Sequence, residues 1–322
     1  MRFVPTSEQE DFTASLDRLL AGADTVAAAR GWAEGDTAAG LALWRRLAEQ
    51  GVHALLVPEE HGGMGASPTE MVLALELVGR HAVPGPWVES VAYLPLALGS
   101  GPVVEALAEG AVGTVAVAPH VPYALDADLA EHRYAVVDGA LHAAEAGEQH
   151  TSVDGTRRLF SVTSASPAET AGDLDRAFDT AVLATAAQLL GAGERILADS
   201  VTYVKQRKQF GREIGSYQAI KHQLADVRIA LDFARPLVQG AALAEPGTLS
   251  RDVSAAKLAA ADAAYLAARV GLQVHGAIGY TLEFDLSLWI TKVRALVAAW
   301  GTTAFHRDRV LAALVAEQEV GG

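Results

Sequence analysis

From residue 174 onward the chain is written largely in alanine and leucine. Four segments (174–206, 216–243, 249–274 and roughly 286–317) carry that composition, and the breaks between them fall at 211–216, 245–247 and 276–279. Alanine and leucine are strong helix formers. Four long helices with such short connections have little choice but to pack side by side, so an antiparallel four-helix bundle is expected.

The remainder is organised differently. Residues up to about Leu98 read as helices: Phe12, Leu16, Leu19 and Leu20 recur at helical spacing within 8–30, a second helix runs near 40–50 and stops at Gly51, and Ser67-Pro68 opens a third through Arg80. Between about 110 and 163 the texture changes to short β-rich runs, GTVAVAP, RYAVVDG and RLFSVT, and SASPAETAGDLD reads as a linker. The expected fold class is mostly α with a small β domain. Its divisions are an N-terminal helical domain (1–100), a reduced middle β domain (101–170) and a C-terminal four-helix bundle (171–322).

Charge excludes several functions. With 25 Lys+Arg against 39 Asp+Glu the net charge is −14, which argues against nucleic acid as a partner. Cysteine is absent, so disulfide and thiolate chemistry are excluded. No histidine pair has metal-ligand spacing on one helix face. Neither a secretory signal nor a membrane span is expected, which suggests a cytoplasmic protein.

Against that acidic background, KQRKQFGREIGSYQAIKHQLADVR (205–228) holds six cations, Lys205, Arg207, Lys208, Arg212, Lys221 and Arg228, and two acids. Arg207 near a helix end, then Phe210-Gly211, then a new helix at about Ser216, would set a guanidinium beside free backbone N–H groups. That arrangement suits phosphate or pyrophosphate, although a solvated basic face is the plainer reading. A second stretch, Gln273-Val-His-Gly-Ala-Ile-Gly-Tyr-Thr281, has small residues at a turn between helices, where a ligand could approach the backbone. His222 and His275 lie inside these two stretches, with ligand contact or packing both open.

Taken together, the pattern R-K-Q-F-G-R-x-I-G-x-x-Q-A-I-x-H-x-L-A-D, then Q-x-H-G-x-I-G-Y-T-x-E, resembles the C-terminal domain of the acyl-CoA dehydrogenase family. LWRRLAEQGVHALLVPEEHGGMGASPTEMVLALELVGR resembles that family's first helical domain. The resemblance implies a flavoenzyme fold that removes α and β hydrogens from an acyl-CoA thioester, with FAD lying across a subunit interface. Carried over residue by residue, the cofactor-binding candidates are Arg207, Gln209, Phe210, Gln218, Gln273, Gly276 and Ala277.

Three departures qualify it. The middle region lacks the family's Thr-Glu-Pro-x-x-Gly-Ser and Lys-x-Trp-Ile segments, which pack on the flavin ring. Trp300 stands where the family's catalytic glutamate is expected, and Ala181 occupies the alternative base position on the first bundle helix. Asp179 is the nearest carboxylate, but two residues along a helix turns it to nearly the opposite face. Ala277 replaces the second glycine of a Gly-Gly turn. Such a pattern is similar to the non-catalytic subunit of heterotetrameric actinobacterial dehydrogenases acting on steroid side-chain CoA thioesters. The implied partners are a second, catalytic subunit, an acyl-CoA and an electron-transferring flavoprotein or similar acceptor. A flavin-free scaffold and a self-sufficient dehydrogenase using Asp179 are the alternatives.

Overall fold

The structure is a computed structural model that describes residues 3–168, 172–209, 211–281 and 283–321. Helices α1 (Ser7–Ala21), α2 (Thr25–Glu34), α3 (Ala38–Glu49), α4 (Pro68–Arg80), α5 (Leu94–Leu98) and α6 (Pro102–Ala108) come first, with a π-helical turn at Val88–Tyr93 ahead of α5. Helix α4 begins where its sequence says it should. Ser67 accepts from a backbone N–H of the first turn while Glu70 reaches back to Ser67 N at 3.0 Å, so a capping box satisfies both ends. The expected single helix over 8–30 is two, because the chain turns at Gly22 and Asp24 caps a second start.

Five strands follow: β1 (Gly113–Val117), β2 (Ala124–Leu125), β3 (His132–Val137), β4 (Ala140–His150) and β5 (Leu159–Pro167), in the spatial order β1-β3-β4-β5-β2. Among the described residues only β1 and β3 pair in parallel. Strand β4 has the composition of a helix, and β5 extends into the stretch read as a linker. A two-residue turn decides the matter for β4: Asp138 and Gly139 take φ of 48° and 76°, the left-handed pair that a tight hairpin requires. Val117 and Val121 then exchange backbone hydrogen bonds of 2.6 and 2.7 Å, folding residues 118–120 back toward the helices.

The helical half comprises α7 (Leu174–Gln206), the miniature hairpin β6 (Lys208–Gln209) and β7 (Arg212–Glu213), α8 (Gln218–Ala242), α9 (Leu249–His275), α10 (Leu286–Ala298) and α11 (Thr303–Gly321). The expected last helix is therefore broken after Ala298, where Trp300 and Gly301 take φ of 57° and 106°. Helix α7 is the centre of the molecule. From Asp179 to Gly193 every residue is buried, so it is enclosed on all sides rather than along one stripe. Its length and apolarity would also suit a membrane span, yet 83% of its most apolar window is buried within the protein.

Enclosure on this scale needs close backbone approach. A Cβ on Gly79 of α4 would lie 2.1 Å from Gln188 O, and one on Gly191 of α7 would lie 1.8 Å from Glu76 O. The two helices thus cross with their backbones in contact at both glycines. Beside the crossing, Arg235 of α8 bridges Glu76 (2.8 Å) and Glu194 (2.9 Å), and Arg228 grips Glu194 with two bonds of 2.7 and 2.6 Å. Trp289 of α10 donates to Arg80 O at the end of α4 (2.9 Å), with the Arg195 guanidinium 4.4 Å over its ring.

The sheet is fastened to the N-terminal helices by a buried acid. Asp126, at φ 50°, accepts from Trp32 Nε1 at 2.8 Å, and burial pushes its carboxyl up to about 7.

Two outcomes follow for stability. Gly191→Ala forces the α4–α7 crossing apart and lowers unfolding free energy by about 1–3 kcal/mol in denaturant titrations. For Asp126 the folded value lies above that of an unfolded aspartate, so stability is fully present below about pH 4 and declines as pH rises toward 7. Thermal melts of Asp126→Asn, compared with the parent from pH 4 to 8, should lose that decline.

Candidate functional site

Helices α7 and α9 run parallel. A Cβ on Gly193 would meet Ala264, one on Gly271 would meet Ile196, and farther along Tyr203 stacks on His275 with ring centroids 4.2 Å apart. This register brings Arg207 and Gln273, more than sixty residues apart in the chain, to the same end of the bundle. Arg207 is the C-terminal cap of α7, one turn past Tyr203, while Gly276 is the cap of α9, next to His275.

Local chemistry explains each turn. Arg207 N donates to Tyr203 O and its carbonyl accepts from Ile214 N, both at 2.9 Å, so the hairpin β6–β7 is tied across its base. Gly211 makes the reversal at φ 80°. Phe210 lies outside the described residues. Arg212 is drawn over the ring of Tyr217, 3.9 Å from its centroid. Tyr217 is the N-cap of α8 and supplies no side-chain hydrogen bond to that helix start. Gly276 ends α9 at φ 64° and ψ −140°.

Gln209, Gln218, Gln273 and Ala277 are exposed around this end, as are Arg207 and His222. Of the six cations in the basic stretch, Arg228 is committed to Glu194 and Asp232. Among the described residues the other five, Lys205, Arg207, Lys208, Arg212 and Lys221, are exposed and make no ion pair. An uncapped helix start, glycine turns on both sides and unpaired cations constitute a surface that fits a pyrophosphate. His275 donates from Nδ1 to Gly271 O (2.7 Å), and burial lowers its affinity for a second proton, so its ring is a neutral stacking partner for Tyr203.

The residues at the expected base positions lie at the other end of α7. Ala181 is fully enclosed in the core. Trp300 is 1% exposed and packs against Tyr93 (5.1 Å between centroids) and Phe178 (5.8 Å). Phe305 and His120 continue the aromatic cluster, with ring centroids 4.0 Å apart. Asp179 pairs with Arg309, which also contacts Ser250 and Ser254. Burial raises the Asp179 carboxyl, and Arg309 works against that shift.

Several buried charges around Trp300 were not singled out in the sequence. Lys257 is 1% exposed and donates to the carbonyls of Leu296 (3.0 Å), Val297 (3.2 Å) and Ala299 (3.0 Å). It therefore closes the C-terminus of α10 and holds the turn that presents Trp300. Burial pulls this ammonium down to about 7, and three carbonyl acceptors at a helix C-terminus favour its keeping the proton. His306 must donate from Nε2 to Trp300 O (3.0 Å), since a carbonyl only accepts, which leaves Nδ1 to accept from Ser254 (3.1 Å). Its proton affinity falls to about 3, first through burial and then through Lys257.

Glu89 is the more surprising member. It is the lone acid in the apolar window GPWVESVAYLPLALG, it is 1% exposed, and neither oxygen has a hydrogen-bond partner of good geometry among the described residues. Burial raises its carboxyl, with Arg157 and the Trp300 indole acting against the rise. An enclosed acid therefore lies beneath the indole. A carboxylate isolated in an apolar run was the available signal.

The comparisons with known proteins agree with this architecture. Residues 6–118 match the acyl-CoA dehydrogenase N-terminal domain, and residues 174–315 match the acyl-CoA dehydrogenase C-terminal domain. Over 296 residues the chain is 34% identical to the acyl-CoA dehydrogenase IpdE2 of Mycobacterium tuberculosis, covering 89% of this chain and 91% of that one. IpdE2 of Mycolicibacterium smegmatis is 36% identical over 256 residues, or 78% and 80% of the two chains. Among solved structures, a chain of the ChsE4–ChsE5 complex from Mycobacterium tuberculosis superposes with a TM-score of 0.84 over 98% of this chain and 99% of its own, at 22% identity. The Tcur3481–Tcur3483 steroid ACAD gives 0.82 over 97% and 99%, at 21% identity.

Trp300→Ala should empty the centre of the aromatic cluster and cost about 3–5 kcal/mol of stability, read from chemical denaturation. Trp300→Phe should cost clearly less.

Proposed function

Because the chain belongs to the acyl-CoA dehydrogenase family, we propose that it is the cofactor-completing subunit of a heteromeric, FAD-dependent enzyme. In this reading a catalytic partner seats the flavin ring and carries the base. One observation supports the reading above the others. Arg207 and Phe178, which touches Trp300, are 29 residues apart on a continuous helix. That spacing corresponds to roughly 43 Å along the axis, farther than one extended flavin dinucleotide reaches. A cofactor held at the Arg207 end is therefore not the one that this chain's own cleft would use, and Trp300 fills that cleft.

The roles follow from the geometry. Arg207 grips the pyrophosphate with its planar fork, and the uncapped start of α8 adds a partial positive charge. Gln209 and Gln218 flank the pyrophosphate from the hairpin side, and Phe210 is assigned to the same site on the sequence motif alone. Gln273, Gly276 and Ala277 lie at the end of α9, where the glycine turn lets the cofactor approach the backbone. FAD, when bound, supplies a hydride acceptor for the β-hydrogen of an acyl-CoA whose α-proton goes to the partner's carboxylate. This chain contributes binding and orientation, and on its own it is inactive. A steroid-derived acyl-CoA is the proposed substrate, in keeping with the likeness to the steroid ACAD, and the proposed onward acceptor is an electron-transferring flavoprotein in the cytoplasm.

A flavin-free scaffold is the rival reading, and Asp179 as a base is a weaker one because Arg309 already holds that carboxylate. Co-expression with a dehydrogenase-like chain encoded by a neighbouring gene, followed by flavin absorbance per heterodimer, separates them. Arg207→Ala should weaken flavin binding by about ten- to a hundred-fold, the loss of a charged hydrogen-bonding group, and Arg207→Lys by less. Unchanged flavin content in Arg207→Ala, or full flavin and turnover in this chain purified alone, would overturn the proposal.

A further inference from the structure

At the seam between the sheet and α10 lies an open pocket of about 420 Å³. Residues 120–123 form one wall, 151–159 the floor and 294–299 of α10 the other wall. The floor is built with unusual care for a surface loop. Asp154 is 0% exposed; its Oδ1 accepts from Thr156 N (3.0 Å) and Thr156 Oγ1 (2.8 Å), while Oδ2 accepts from Lys292 Nζ (3.2 Å). Lys292 donates to Thr156 Oγ1 as well, at 3.0 Å. A buried ion pair thus fastens the loop to α10, and Arg157 N, bonded to Asp154 O at 3.0 Å, sets the next side chain on the pocket wall.

That side chain is a half-buried guanidinium which, among the described residues, makes no hydrogen bond or ion pair. The acid that feels its charge is Glu89, which is enclosed and, among the described residues, makes no ion pair with it, and whose carboxyl is raised by burial. Lys257, also buried, feels the same guanidinium and adds to the positive potential. Arg294 lies at the rim, turned toward Tyr265 (3.5 Å). In a chain of net charge −14 this is an uncompensated positive site, and a half-buried cation without a counter-ion is costly. The walls beside it are apolar: Val121, Pro122, Leu159, Ala295 and Ala298.

We propose that this pocket binds a small organic carboxylate, its carboxylate on Arg157 and its apolar body against the α10 wall. One free guanidinium matches one monoanion, for which its fork geometry is suited. The volume lies at the lower end of the range for small-molecule sites. A bare phosphate would leave the apolar walls unused.

The test is calorimetric titration of the full chain with benzoate, cyclohexanecarboxylate and 1-naphthoate, alongside inorganic phosphate and lumiflavin. Carboxylates should bind more tightly as their apolar body grows, with phosphate silent at the same concentrations. Arg157→Gln should weaken binding at least about ten-fold and Arg157→Lys less, melting temperatures being followed in parallel. Ala298→Phe, at an exposed wall position, should block the pocket while leaving Arg157 in place, and so covers the case in which an Arg157 variant misfolds. Carboxylate affinity unchanged in Arg157→Gln and in Ala298→Phe would overturn the proposal, as would lumiflavin binding where carboxylates do not. Since no turnover or bound FAD enters the readout, absence of carboxylate binding leaves the shared-cofactor reading standing, whereas lumiflavin bound here would count against both.

Discussion

Everything in this molecule is arranged around a helix that has no exposed face along its middle. Fifteen consecutive residues of α7, from Asp179 to Gly193, are buried, so neighbours must cover it on every side. Glycine at 79 and 191 lets α4 lie against it at backbone contact. Helices α8, α9 and α10 supply the remaining walls, and the sheet is docked on afterwards through Asp126 and the loop around Asp154. A rod of this length also acts as a ruler. It carries the basic hairpin at one end and the aromatic cluster at the other, and it keeps them at a fixed separation.

Much of this was legible in the sequence, for reasons that can be named. The long helices declare themselves by composition, and α4 by the Ser67–Glu70 cap. In two places a local turn overrides composition. The run ALHAAEAGEQH is rich in alanine, yet it lies in the region expected to be β, and Asp138-Gly139 commits it to a hairpin strand. The segment 286–317 reads as one helix, yet Gly301 and the left-handed Trp300 divide it. In both cases a dipeptide with positive φ outweighs a dozen residues of propensity.

The site divides the same way. Arg207, Gln273 and Gly276 belong to contiguous motifs, so their meaning is local and readable; that the motifs meet at one end depends on the parallel register of α7 and α9. Lys257, Lys292, Glu89 and Arg157 carry no local signature. Their partners lie far along the chain, Lys257 with carbonyls some forty residues on and Lys292 with Asp154 on another domain. The acidic surface conceals this economy: cations on the outside of the hairpin are left free, whereas most of those inside are held by carbonyls or carboxylates.

The turn at Trp300 has a consequence for what the position can hold. Its backbone is left-handed, its carbonyl is held by His306, and its indole covers a buried acid whose carboxyl is raised by burial. A carboxylate placed at this position would enter an enclosed space already occupied by Glu89 and would leave the volume of an indole unfilled. Accommodating a base here would thus require several substitutions at once. The fold around this turn admits an indole and offers no single-mutation path to an acid.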